Sequence, residues 1–267
     1  MRALATKSRT GMADGDIIIP DENVLLDWKR YYLNLDFYPG IRLTRRDGLR
    51  FAESASEYLE LEDVQPGISE WRMAGGATSD GVHVAITKHS ITLDVLDPPN
   101  LLEWYEHRFE PLVRMFGDTF TPQVALRRNA IATCLLDLPG DTDARAFLGG
   151  WVMLMHPSKL APIERPLHVL GVRLFFPPFE ETEGEHTEQR RKTDWSVNVR
   201  VESSIDDPGK LFLEADAGWD EPTEWNDAFA NEAVRCMGVA TTFVKDKVVK
   251  FLRQPPFPAN GEDDNVQ

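Results

Sequence analysis

Cysteine is scarce in this chain. There are two in 267 residues, Cys134 and Cys236, and no CxxC. So few thiols exclude a disulfide scaffold. Both stand among apolar neighbours, which predicts buried free thiols. Long apolar runs are missing as well, and no stretch approaches the roughly 20 residues that a membrane-spanning helix needs. Bases are outnumbered, 29 Lys and Arg against 44 Asp and Glu, for a net charge of −15. A surface this acidic repels phosphate backbones and anionic lipid. Nucleic acid and membranes are therefore not expected partners, whereas a protein partner or self-association is. No apolar segment follows Arg2, Lys7 and Arg9, so no secretory signal is read and the expected location is cytoplasmic.

Catalytic and metal motifs are equally sparse. The six histidines (His83, His89, His107, His156, His168 and His186) form no HxH, HExxH or His/Cys cluster. Gly75-Gly76 and Gly149-Gly150 lack the spacing of a dinucleotide fingerprint and the Lys-Ser/Thr of a phosphate loop. There is no GxSxG elbow and no three-acid calcium loop. Cys134 sits beside Leu135 and Leu136, where a core role outweighs a nucleophilic one. No catalytic residue, metal site or cofactor is assigned.

What the chain does have is patterning, with 42% hydrophobic residues to build a core. Trp225, Phe229, Ala233, Met237, Ala240, Val244, Val248 and Phe251 recur at helical spacing, predicting one amphipathic helix over Thr223–Arg253. Val82, Val84 and Ile86, then Ile91, Leu93 and Val95, alternate around Lys88-His89-Ser90 and predict a hairpin. A helix with Leu101, Tyr105, Phe109, Leu112, Val113 and Phe116 on its buried face follows, closed by Gly117. Val124 to Leu138 reads as strand. Leu167 to Phe176 does too, stopped by Pro177-Pro178. Trp195, Val197, Val199 and Val201 alternate cleanly, and Asp206-Asp207-Pro208-Gly209 turns the chain into Leu211, Leu213 and Ala215. A helical turn from Asn23 through Trp28, Tyr31 and Tyr32 is expected. Glu180 to Lys192 reads as a mobile loop. Residues 41–61 and 147–155 receive no firm element.

The reading is an α+β fold, antiparallel sheet against two amphipathic helices, in two structurally similar halves. The halves are placed at 17–140 and 141–253, between a disordered N-terminus, 1–16, and an acidic tail, 254–267. Ile17-Ile18-Ile19-Pro20 is a short extended piece.

Three passages resemble a sporadically distributed bacterial family of mostly uncharacterised proteins of about 250 residues. They are the hairpin Val82–Val95 with the helix Leu101–Phe116, the stretch Leu126-Arg127-Arg128-Asn129 leading to Leu138-Pro139-Gly140, and Leu211–Asp216 with the long terminal helix. Arg128 stands where that family has an aromatic, and its Pro-led opening strand is not recognisable before Trp28. The resemblance implies an α+β fold and carries no activity.

Arg127-Arg128-Asn129 interrupts an apolar strand and is the candidate anion or partner site, set against an exposed strand face or an internal salt bridge. Trp195, Trp225 and Arg127 would line a pocket between the sheet and the long helix. The expected function is a non-enzymatic binding or assembly protein. The alternative is an enzyme or small-ligand binder using that pocket.

Overall fold

Tyr31, Leu33, Leu35 and Phe37 alternate with polar residues, and Leu26–Tyr38 is accordingly a long strand, β1. The computed structural model describes residues 26–254 apart from 60, 68, 76–80, 100–101, 154–166 and 182–190. The expected termini, the Ile17–Pro20 piece and Asn23 lie outside the described residues. The helical turn expected through Trp28, Tyr31 and Tyr32 is strand instead. A register shift between Trp28 and Arg30 inserts one residue into β1. Trp28 and Tyr31 are thereby both buried although three residues apart, the spacing that imitates a helix.

Thr44 opens α1 (Arg45–Leu59), its hydroxyl accepting from the Asp47 N–H and donating to the Asp47 carboxylate. The buried side of α1 is Gly48, Phe51, Ala52, Ala55 and Leu59. Small residues dominate that stripe, which is why its period is faint in the sequence. A meander follows: β2 (Leu61–Pro66), β3 (Glu70–Gly75), β4 (Val82–Thr87) and β5 (Ser90–Leu96). It leads into α2 (Leu102–Phe120), which runs through Gly117 rather than ending there. A Cβ at Gly117 would lie 2.6 Å from Trp225 Nε1, so the glycine makes room for a ring and does not cap the helix.

The series then restarts. β6 (Val124–Asp137) is the second long strand. α3 (Ala144–Phe147) continues into a π-helical turn, Leu148–Val152, in the region left unassigned by sequence. β7 (Gly171–Phe176), β10 (Ser196–Ser203) and β11 (Lys210–Trp219) complete a second meander. Between β7 and β10, β8 (Phe179–Glu181) and β9 (Arg191–Thr193) pair as a separate ribbon. The expected loop over Glu180–Lys192 thus has strand at both its ends, and its middle lies outside the described residues.

The terminal helix begins six residues later than Thr223. β12 (Thr223–Glu224) pairs with Val124 and Ala125, and the Trp225 N–H donates to the Gln123 carbonyl. The Asn226 side chain accepts from the Ala228 N–H, forming a turn. α4 (Phe229–Phe243) then passes through a π-helical turn, Val244–Val248, into α5 (Val249–Arg253). Gly238 faces α2, and a Cβ there would sit 3.4 Å from Leu102 Cδ2.

The main sheet has ten strands in the order β2-β3-β4-β5-β1-β6-β11-β10-β7, every pairing antiparallel, with β12 beside the start of β6. The fold is α+β. β6 stands to β11 as β1 stands to β5, so the second set of elements starts at Val124, ahead of the sequence boundary at 140. Both sets share one sheet and one buried core. The helix caps Thr44 and Asp143 take matching places, one residue before α1 and α3.

One sheet face is dry. Tyr31, Leu33, Leu35, Phe37, Ile91, Leu93, Val95, Ala130, Ala132, Cys134, Leu213, Ala215 and Ala217 are at most 1% exposed. α1, α2 and α4 pack over this face, through Phe51, Phe116 and Met237 among others. Among the described residues, no helix is long and apolar enough to cross a membrane.

Candidate functional site

Period-two alternation decides what the other face carries. Most of its positions are half-buried or exposed, Thr133 and Gly218 being buried exceptions, and they are polar or charged far more often than apolar. Strand register arranges them in rows. In the first half, Tyr32, Asp94, His83 and Ala74 stand side by side, and next to them Asn34, Thr92, Ala85 and Arg72. In the second half the corresponding rows are Ile131, Asp216, Asn198 and Phe175, then Thr133, Glu214, Arg200 and Arg173. With β1 laid on β6 so that the caps Thr44 and Asp143 coincide, these rows fall on one another position by position. Asp94 matches Asp216, and Arg72 matches Arg173.

Each half has a hollow at these rows. The first, about 470 Å³, is lined by Arg72, Ala74, His83, Ala85, Thr92 and Asp94, with Asp63, Gln65 and Glu70 at its β2 side. The second, about 260 Å³, is lined by Arg173, Phe175, Asn198, Arg200, Glu214 and Asp216. Phe175 and Arg200 replace Ala74 and Ala85, which accounts for the smaller space.

Ion pairs hold the charged groups in place. Arg30 donates to both oxygens of Asp94, at 2.7 and 2.9 Å, with its guanidinium 4.8 Å over the Tyr32 ring. At the matching Asp216, the Asn129 amide donates at 2.5 Å. Arg200 donates to Glu202 at 2.7 Å, which raises the arginine and lowers the carboxyl pKa from their ordinary values. The Arg200 guanidinium lies 5.0 Å over Phe212, and its Nε is buried with no hydrogen-bond partner among the described residues. Glu214 is the opposite case. Burial, more than Arg200 or Arg173 can offset, pushes its carboxyl above the usual carboxylate range. A desolvated acid thus stands across the strand pair from an arginine whose Nε has no partner among the described residues.

The residues singled out from sequence are dispersed by the strand pleat. Arg127 is on the edge of the open side and pairs with Asp220 at 3.1 Å, both partners largely exposed. Arg128 turns the other way, beneath α4, where its side chain is 4% exposed, pairs with Glu232 and lies 5.8 Å from the Trp219 ring centre. Asn129 returns to the open face. Trp195 packs at a tilt against Trp219 at 5.9 Å and edge-to-face against Phe243 at 5.7 Å, whereas Trp225 belongs to an aromatic cluster with Phe37, Phe116 and Phe229. The two tryptophans and Arg127 therefore line no common pocket. The ground between sheet and α4 is filled by Ala130, Ala132, Ala215, Ala233, Met237 and Ala240, all fully buried. Glu214, Arg200 and Asp94 escaped the sequence reading, because their only signal is that they occupy the polar phase of alternating strands, and His83 was considered there only as a metal ligand.

Both cysteines are free and buried. Burial pushes the Cys134 thiol up, and that of Cys236 up to about 12, so neither supplies a thiolate at neutral pH. Among the described residues, no group of three or more His, Cys, Asp or Glu is placed to hold a metal ion. Compared with family models and with curated proteins, the chain matches none.

Proposed function

We propose that this chain is a non-catalytic binding or assembly protein that takes a protein partner on the sheet face over which none of the described helices packs. The observation that carries this reading is the pair of register-matched hollows on that face. Each combines a guanidinium, an aspartate and neighbouring polar groups on rigid strands. Fixed, alternating charges of this kind give specificity to a polar protein surface. The opposite side of the sheet is spent on core packing. The net charge of −15 favours a partner with a basic surface and disfavours nucleic acid and anionic membranes.

A small-ligand reading is favoured by one feature, the desolvated Glu214 beside the orphaned Arg200 Nε. It places the ligand in the second hollow rather than beneath α4.

Capture from the native host on the immobilised chain separates the two. A stoichiometric protein that is lost with Ile131→Glu or Asn198→Glu, and kept with the control Lys250→Glu at an exposed position of α5, supports the first reading. Capture insensitive to the open-face substitutions, or a retained small molecule in place of a protein, overturns it.

A further inference from the structure

The two edges of the sheet are not alike. β2 is blunted by a register irregularity between Leu61 and Asp63, by the exposed Asp63, and by a proline at position 66 that has no N–H. β7 at the other edge has the sequence Gly-Val-Arg-Leu-Phe-Phe, with Phe175 61% and Phe176 45% exposed. Among the described residues, no strand pairs with its outer side. The Ser203 N–H donates to the Leu170 carbonyl at 2.8 Å, which sets the phase of the ladder. Even-numbered residues of β7 turn their backbone groups toward β10, and Gly171, Arg173 and Phe175 turn theirs outward.

We propose that β7 pairs antiparallel with β7 of a second copy of this chain, about a two-fold axis at Leu174. In that register Arg173 stands opposite Phe175 of the other copy, twice, on the open face. These are hydrogen-bonded positions on both strands, and a guanidinium meets an aromatic ring. Val172 meets Phe176 on the opposite side. The competing register of equal overlap, centred on Arg173, sets two arginines against each other and is disfavoured. Among the described residues, the main sheet of each molecule has one such edge and a blunted second edge, so association through it closes at two copies and does not run on into a fibre. The contact joins the two sheets edge to edge and leaves the first hollow of each copy free. It uses Arg173 and Phe175, which also line the second hollow, so it shares that margin of the open face.

Sedimentation equilibrium on the full chain is expected to give twice 30.3 kDa. Phe175→Arg opposes like charges and weakens the dimer about tenfold, because the contact occurs twice. Phe175→Glu opposes a carboxylate to Arg173 and keeps or tightens it. Arg173→Pro removes an outward N–H and dissociates the dimer while the β10 ladder remains, seen as an unchanged far-ultraviolet circular dichroism spectrum. At the axis, Leu174→Cys brings two identical positions to about 4.5 Å between Cα atoms, within disulfide range, so oxidation gives a covalent dimer. The buried native cysteines stay out of that reaction. A monomer at every accessible concentration, equal weakening by both Phe175 substitutions, or failure of Leu174→Cys to cross-link would each overturn the inference. Partner capture that Ile131→Glu leaves intact overturns the proposed function, and with the mass still twice 30.3 kDa it leaves the dimer standing.

Discussion

The two halves of the sheet share a topology and fill it in opposite ways. The first puts Tyr31, Leu33, Leu35 and Phe37 of β1 against Tyr105, Phe109 and Phe116 of α2, and all are buried. The second puts Ala130, Ala132 and Cys134 of β6 and Ala215 and Ala217 of β11 against Ala233, Met237 and Ala240 of α4. α4 accordingly brings its Cα atoms within 8 Å of β6, β11 and β1 at several positions, whereas α2 does so mainly with its neighbouring helices. Volume missing from the side chains is recovered by bringing the helix closer, and packing density is kept. The outer face reverses the contrast. There the first half carries Ala74 and Ala85, and the second carries Phe175 and Arg200, leaving a large hollow and a small one. A duplicated frame can thus hold its register while exchanging bulk between its faces.

Core substitutions at matching places test this contrast most severely. Leu33→Ala is expected to cost about 2–5 kcal/mol by opening a cavity. Ala132→Leu, the reverse exchange in the second half, costs about 1–3 kcal/mol by overpacking against α4. Urea denaturation measures both, and a neutral Ala132→Leu would show that α4 is not held close by small residues. The halves also differ in how they pair charge. Glu232→Ala strands the enclosed Arg128 and costs about 2 kcal/mol, less than a fully buried pair because Glu232 is itself half-exposed. Arg114→Ala, which breaks the exposed Arg114–Glu110 pair on α2, costs under about 1 kcal/mol. A double-mutant cycle on each pair gives the comparison directly.

Glycines within the two long helices separate next. Gly117→Ala in α2 drives a methyl into the Trp225 ring and lowers stability by about 1–2 kcal/mol. Gly238→Ala in α4 meets Leu102 only at ordinary contact distance, and gained helix propensity raises stability by about 0.5 kcal/mol. Thermal melts of the two variants should move in opposite directions. The smallest effect concerns Glu214. Its folded pKa is raised, so the folded chain holds a proton that the unfolded chain has released, and stability falls as pH rises through that window. Glu214→Gln removes this loss. The variant should match wild type near pH 4 and be the more stable of the two at neutral pH, which a melting series across pH would show.

Strands with unbroken alternation, β4, β5, β10 and β11, were legible in the sequence, as was the apolar stripe of α4, because each states its period within one element. β1 was not. The extra residue at Lys29 shifts its phase and gives Trp28 and Tyr31 a helical interval. The start of α4 was misplaced because Trp225 continues the helical stripe in sequence while its backbone N–H is taken by Gln123. The candidate site was the least legible part. Arg127, Arg128 and Asn129 form a cluster in the chain but not in space, since the pleat sends Arg128 under α4 and its neighbours outward. Asp94 with Arg30, and Asp216 with Asn129, are far apart in sequence and meet only through strand register.

The sequence by itself determined which residues leave water and which local period each segment follows, because side-chain hydrophobicity and its spacing act within a few residues. It also determined the acidic surface. Tertiary structure alone decided that β1 and β6 lie side by side, that two meanders close on them as equivalent halves, and that the polar phase of both forms two matched hollows. Those outcomes depend on pairing between strands distant along the chain, where backbone hydrogen bonds carry no record of sequence and register is set by the whole buried face at once.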